Sequence, residues 1–308
     1  YEFGTNPCSE IILRPYQFCN LTEVVVRAED NLATLRNKVE LATILGTLQS
    51  TYTNFPYLRK IWSKNTGDER LLGVSLTGIF DNNQLRTDEH GWLDTLRDHS
   101  RETNKVWAER LQIPVSAAIT CVKPSGTVSQ LVDAASGIHP RHSAYYIRRV
   151  RGDKKDPLTQ FMIDQGVPAE DCVMKPTSTT VFSFAKKAPR GTKVRADISA
   201  IQHLETWLLF QQKWCEHKPS VTISVEEKDW PEIGAWVWKH FDEISGISFL
   251  PYDGGTYRQA PYEECTLEEY NDLLKKIPED IDFAQLKEET DNVEGVQTLA
   301  CSSGVCEI

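Results

Sequence analysis

Three side chains able to do chemistry alternate in Asn6-Pro7-Cys8-Ser9-Glu10. On an extended loop this spacing puts an amide, a thiol and a carboxylate on one side. An amide can bond a hydroxyl, a carboxylate can take its proton, and a thiol can act as nucleophile or hydrogen-atom carrier. A polar loop with an ordinary cysteine would read the same from this pentapeptide alone. Cys19 follows in Phe18-Cys19-Asn20-Leu21-Thr22-Glu23, 11 residues after Cys8. The gap is too long for a two-spacer redox motif, but a turn near Arg14-Pro15-Tyr16 would bring the chain back to the same cavity. The other reading of Cys19 is a buried small hydrophobe.

Lys123-Pro124-Ser125-Gly126-Thr127-Val128-Ser129 stands between a β-type run and a short helix. Small hydroxyl residues and a glycine at a helix start expose backbone N–H groups that favour an anion. A plain capped helix start is the alternative, and the Walker A order is absent. Near the far end, Cys301 and Cys306 are spaced to act as a pair. Two thiols on a flexible arm can visit a buried disulfide and exchange with it. Half a zinc site competes with that reading, but no His or Cys cluster lies nearby in sequence to complete four ligands. Cys121, Cys172, Cys215 and Cys265 fall in or beside regular elements and read as packing residues. The histidines form no ligand pattern, so no metal ligand set is expected.

These residues must be held by a scaffold, and the sequence alternates short β-type runs with amphipathic helices. Strands are expected at Leu21–Val26, Leu71–Ile79, Ala117–Val122, Tyr145–Val150, Thr179–Phe184, Ser220–Val225 and Ile247–Pro251. Helices are expected at Asn31–Ser50, Asp88–Leu111, Pro157–Gln165, Asp197–His217 with Asp197 as N-cap, Trp230–Ile244 and Thr266–Ile277, the last opening on a capping box. Strands separated by helices predict parallel pairing and an α/β fold. After about Phe283 the apolar period is lost, and the polar tail reads as a mobile C-terminal arm carrying the last cysteine pair.

Composition sets the bounds. The 308 residues carry 44 acidic and 34 basic side chains, a net charge of −10, with 40% hydrophobic and 25% charged residues. This is ordinary globular usage. The acidic balance argues against a nucleic-acid surface. No stretch approaches a membrane span, and no N-terminal segment reads as a secretion signal. Eight cysteines are too sparse for a disulfide scaffold, so a reduced, cytoplasmic protein is expected. The start at Tyr1, without an initiator Met, reads as a chain already in progress.

Taken together, four motifs resemble the catalytic subunit of ribonucleotide reductases, specifically the adenosylcobalamin-dependent class II enzymes. They are Asn6-Pro7-Cys8-Ser9-Glu10, Cys19-Asn20-Leu21-Thr22-Glu23-Val24, Pro124-Ser125-Gly126-Thr127 and the Cys301/Cys306 pair. Their order matches the family's, and so does the gap between the first two cysteines. The resemblance implies a ten-stranded α/β barrel with a central finger loop. Residues 1–285 would be its C-terminal half, with the finger loop at 4–14, and 286–308 a flexible redox-active tail. It also implies that Cys8 carries a transient thiyl radical, that Glu10 is the base for the 3′ hydroxyl and that Asn6 bonds the ribose hydroxyls. Cys19 would supply reducing equivalents, Ser125, Gly126 and Thr127 would hold the substrate phosphates, and Cys301 and Cys306 would re-reduce the active-site disulfide. The implied partners are a ribonucleotide, adenosylcobalamin, and thioredoxin or a similar dithiol reductant.

The late run Ile247-Ser248-Phe249-Leu250-Pro251-Tyr252 lacks the Tyr-Tyr relay of class I, and a dithiol stands where class III carries a glycyl-radical site. Gln259-Ala260-Pro261-Tyr262 and the wording around Cys19 look more like the monomeric triphosphate reductases. The family's partner for Cys19, its allosteric site and about half its barrel lie upstream of the finger loop. The expectation is therefore a half-chain, inactive without an N-terminal partner. A class I large-subunit fragment is the rival among reductases. Outside them, the rivals are a thiol–disulfide oxidoreductase and a zinc-binding or interaction module.

Overall fold

The computed structural model describes residues 2–252 and 258–287. Cys301 and Cys306 lie outside the described residues, as does most of the expected 286–308 arm. The described residues form two compact units. One holds the described residues up to Arg141 together with Gly191–Pro251; the other holds His142–Arg190, Tyr252 and residues 258–287.

The first unit opens with a hairpin in which β1 (Gly4–Thr5) pairs antiparallel with β2 (Ile12–Leu13). Then come β3 (Asn20–Val25), α1 (Leu32–Gln49), α2 (Lys60–Glu69), β4 (Leu72–Thr77), α3 (Asn83–Thr87), α4 (Trp92–Leu111), β5 (Thr120–Cys121) and α5 (Gly126–Leu131). The second unit takes β6 (Tyr145–Asp153), α6 (Pro157–Asp164), β7 (Ala169–Asp171) and β8 (Thr179–Lys187). The chain returns to the first unit as α7 (Ala200–Lys213), β9 (Val221–Val225), α8 (Trp230–Lys239) and β10 (Ile247–Pro251). It finishes in the second with β11 (Tyr262–Glu264) and α9 (Leu267–Leu274).

In the first unit β3, β4 and β5 pair in parallel in that order, and β9 pairs in parallel with β10. A parallel bridge between Val122 and Pro219 links the end of β5 to the approach to β9. This is the α/β pattern expected from strands separated by helices. β4, Leu72-Gly73-Val74-Ser75-Leu76-Thr77, is buried at every position, as a central parallel strand covered on both faces must be. Leu35 and Val39 of α1, Leu93 and Leu96 of α4, and Leu204, Trp207 and Phe210 of α7 join it in one core. Two indole N–H groups tie this core to strand ends near the hairpin. Trp207 donates to the Pro219 carbonyl at 2.7 Å and Trp214 to the Cys121 carbonyl at 2.8 Å.

The second unit departs from the parallel expectation. Its sheet, in the order β11-β6-β8-β7, is antiparallel throughout. β7 and β8 are joined by a connection too short for a parallel crossover, and β6 then pairs along the whole of β8. This self-contained sheet explains why residues grouped as 1–285 in sequence divide into two units.

Helix limits also shift. The α7 N-cap is Ser199, in a capping box with Gln202, not Asp197. The Asp197 carboxylate instead accepts from the Val194 N–H in the preceding turn. The helix expected from Asp88 begins at Trp92, because Asp88 and Gly91 both have left-handed backbones that break it from α3. The capping box at Thr266 is present.

Candidate active site

The hairpin tip is a tight turn rather than an extended loop. The Ser9 N–H donates to the Asn6 carbonyl at 2.9 Å, with Pro7 and Cys8 in the two central positions. Proline suits the first of these because its φ is already set. The Asn6 side chain then fixes the residues beyond the turn. Its Oδ1 accepts from the Ile11 N–H at 3.0 Å and its Nδ2 donates to Glu10 Oε1 at 2.6 Å. The Glu10 side chain is completely buried, and its Oε2 has no hydrogen-bond partner among the described residues. The expected gathering of Asn6, Cys8 and Glu10 therefore occurs, through a turn and a side-chain bond rather than strand alternation.

The hairpin base is anchored by α2, a helix whose periodicity is too faint to expect from sequence. Arg14 pairs with Glu69 at 3.0 Å, Gln17 Nε2 donates to Glu69 Oε2 at 2.7 Å, and Asn65 Nδ2 donates to the Pro15 carbonyl at 2.8 Å.

Lys123, at the end of the β5 segment, reaches across to the tip. Its Nζ lies 3.3 Å from Glu10 Oε1 and 3.6 Å from Cys8 Sγ. Partial burial works against its charge, but Glu10 and Cys8 together outweigh this and hold its pKa above the usual lysine value. In sequence Lys123 belongs to the anion loop; in the fold it points to the thiol and the carboxylate. The chain behind it is held closely. Gly137 has φ +52°, and a Cβ there would stand 2.7 Å from the Lys123 carbonyl oxygen.

The loop itself is arranged differently from the simplest expectation. Ser125 is buried; its hydroxyl donates to Glu23 Oε1 at 2.8 Å and its N–H donates to Ser136 Oγ at 3.1 Å. Gly126 opens α5, and Thr127 is exposed one residue later. Burial raises the pKa of Glu23, against the lowering effect of the Ser125 hydroxyl and Lys123.

Cys19 sits just before β3 and packs on a small cluster of Ile11, Leu71 and Cys121. Burial, with a contribution from the Glu10 charge, pushes its thiol up to about 11. Cys121, read from sequence as a packing residue, is fully buried, and burial raises its pKa well above the ordinary thiol value. The cluster needs Gly73, where a Cβ would fall 2.3 Å from Leu21 Cδ2 and 3.2 Å from Ile11 Cδ1. The functional groups missed in sequence are thus the orientation of Lys123 and the Glu23–Ser125 bond. Neither leaves a local signal, since the partners are 113 and 102 residues apart.

No family model matches the chain. An adenosylcobalamin-dependent ribonucleoside-triphosphate reductase from Euglena gracilis is 28% identical over 307 residues, covering 98% of this chain and 42% of the relative. Its namesake from Lactobacillus acidophilus is 28% identical over 340 residues, covering 99% of this chain and 45% of the relative. The crystal structure of a B-12 dependent (class II) ribonucleotide reductase matches with a TM-score of 0.80 at 25% identity, over 93% of this chain and 44% of that one. In sequence and in fold the chain is similar to adenosylcobalamin-dependent ribonucleotide reductases. It spans less than half the length of the curated relatives it matches. A class Id ribonucleotide reductase alpha subunit from Actinobacillus ureae shares the fold more loosely, with a TM-score of 0.54 at 14% identity over 81% of this chain and 53% of that one.

Proposed function

We propose that this chain is the radical-bearing part of an adenosylcobalamin-dependent reductase that converts ribonucleoside triphosphates to 2′-deoxyribonucleotides. The observation that carries the reading is the hairpin tip. A thiol and a buried carboxylate with one free oxygen lie within reach of the same cation.

Each residue then has its part in the chemistry. A ribose C–H is not acidic, so its hydrogen has to leave as an atom. Cys8, as a thiyl radical, takes the 3′ hydrogen, and Glu10 takes the 3′ hydroxyl proton on Oε2. Asn6 keeps a second amide hydrogen for the ribose hydroxyls. The 2′ hydroxyl leaves as water, two thiols close to a disulfide, and Cys8 returns the hydrogen to C3′. The net change is one C–OH reduced to C–H, one dithiol oxidised and one water released. Cys19, with its raised pKa, rests as the protonated thiol such a donor requires. The Gly126 and Thr127 N–H groups at the start of α5 would meet the phosphates, with Ser125 holding the loop through Glu23.

The site fits the cofactor in one respect the chain itself displays: Cys8 is half-buried at a loop tip, where its S–H can meet a radical brought from outside. Adenosylcobalamin would supply that radical by homolysis of its cobalt–carbon bond. β3, β4, β5, β9 and β10, aligned in parallel, support half of a ten-stranded barrel closed by an N-terminal half, with the 4–14 hairpin as its finger. Cys301 and Cys306 on the 286–308 tail would exchange with the active-site disulfide and pass electrons from thioredoxin. No helix among the described residues is long and apolar enough to cross a membrane, and we place the enzyme in the cytoplasm.

The test is deoxyribonucleotide formation from ribonucleoside triphosphate, adenosylcobalamin and a dithiol. The 308-residue chain joined to a matching N-terminal half should turn over, and the chain alone should not. Turnover by the chain alone would overturn the half-barrel. Turnover that required a separate radical-generating subunit, and not cobalamin, would overturn the cofactor.

A further inference from the structure

We infer that Lys123 is the positioning residue of this site: it holds Oε1 of Glu10 so that Oε2 is left to meet the substrate, and holds Cys8 beside it over the same ribose. The inference rests on the reductase reading and assigns a residue that reading does not use.

Three observations carry it. Glu10 is wholly buried, and a buried carboxylate is costly unless a cation and hydrogen bonds compensate it. Lys123 is the cation paired with it, bound to Oε1 on the side opposite the free oxygen. With Oε1 held by Lys123 and Asn6, Oε2 alone remains to receive the substrate's hydroxyl proton. The same Nζ also reaches the Cys8 sulfur, so one ammonium sets the spacing between the atom that takes hydrogen and the atom that takes a proton. Lys123 keeps its own proton throughout. Its charge offsets the carboxylate before the transfer and is not consumed by it.

The other titratable groups around the pair are Cys19 before β3, Glu23 on β3, Cys121 on β5 and His217 after α7. Burial holds Cys19 and Cys121 as neutral thiols and disfavours the charged form of His217. Glu23 has Ser125 as its hydrogen-bond donor. None of these supplies Glu10 with a hydrogen-bonded cation in place of Lys123.

The experiment compares Lys123→Met and Lys123→Arg in the complete protein that carries this chain, with kcat and KM measured across pH and folding checked by circular dichroism. Lys123→Met should lose roughly 10²-fold or more in kcat near neutral pH. KM should be little changed, because Lys123 positions the reacting side chains and does not bind the substrate. Lys123→Arg, which keeps the charge and can donate to both Glu10 and Cys8, should recover most of the wild-type kcat. If Lys123→Met does not fold, Lys123→Gln carries the same expectation. A folded neutral variant with wild-type kcat overturns the inference, and so does a Lys123→Arg variant that folds and recovers none of the lost kcat. So does a neutral variant that raises KM alone, because Lys123 would then be a phosphate ligand. Failure of the reductase reading looks different: the wild-type protein itself would then form no deoxyribonucleotide, whatever stands at position 123.

Discussion

At the hairpin tip one carboxylate oxygen is bound twice and the other not at all. In the proposed chemistry that asymmetry would make Glu10 a directional base. Glu10→Gln keeps the shape but cannot take a proton, so we expect turnover to fall by roughly 10²-fold or more, with hydrogen exchange at Cys8 retained. Rate measurements on the two half-reactions check this. Asn6→Ala removes both the Glu10 and the Ile11 contacts, and should lower kcat while leaving the thermal midpoint close to wild type. Much of this trio is legible in the sequence because Asn6, Cys8 and Glu10 lie within five residues, and Asn6 bonds Glu10 directly. Lys123 was legible only as a basic residue near a loop, since what it touches is decided by how β5 lies beside the hairpin. Cys301→Ser and Cys306→Ser should spare a single turnover and stop thioredoxin-driven recycling, which separates the tail's role from that of Cys8.

The elements that aim these residues differ in how openly the sequence declares them. α1 has an Asn31 N-cap and α9 a Thr266 capping box, and both announce their starts. α2 contains Gly67 and a largely polar surface, so its periodicity is faint, yet it anchors the hairpin through Glu69. The Ser199 cap of α7 was displaced in sequence by Asp197, an equally good capping residue whose carboxylate is already used by Val194. The loop after β5 depends on Gly137. Gly137→Ala must accept a left-handed φ and push against the Lys123 carbonyl, and should cost about 1–3 kcal/mol. Thermal unfolding with and without the substitution checks it, and Lys123 should shift from Glu10 in the same variant.

Across the whole molecule, strand alternation with helices was enough to foresee a parallel α/β arrangement in the first unit. The antiparallel sheet of the second was not foreseen, because a nine-residue strand pair leaves the same local pattern in either direction. The first unit also carries an acid-sensitive pair. His139 Nδ1 donates to the Ser136 carbonyl, its Nε2 accepts from the Thr222 N–H, and His203 packs edge-on against it while donating to Ile138. Burial pulls His139 down to about 4 and His203 to about 3. Both are therefore neutral when folded and take up protons below about pH 6.5 when unfolded. Stability should fall as pH drops below about 6.5 and keep falling toward about pH 4, by on the order of 3 kcal/mol for His139 alone. Denaturant titrations of wild type and His139→Gln across that range check the sign, since the variant should lose less.

Whether Cys8 is the radical thiol of a ribonucleotide reductase is decided by deoxyribonucleotide formation in the complete protein. With ribonucleoside triphosphate, adenosylcobalamin and dithiol, the wild type and Cys265→Ser should both form deoxyribonucleotide. Cys8→Ser should form none. Deoxyribonucleotide at the wild-type rate from Cys8→Ser would contradict the account.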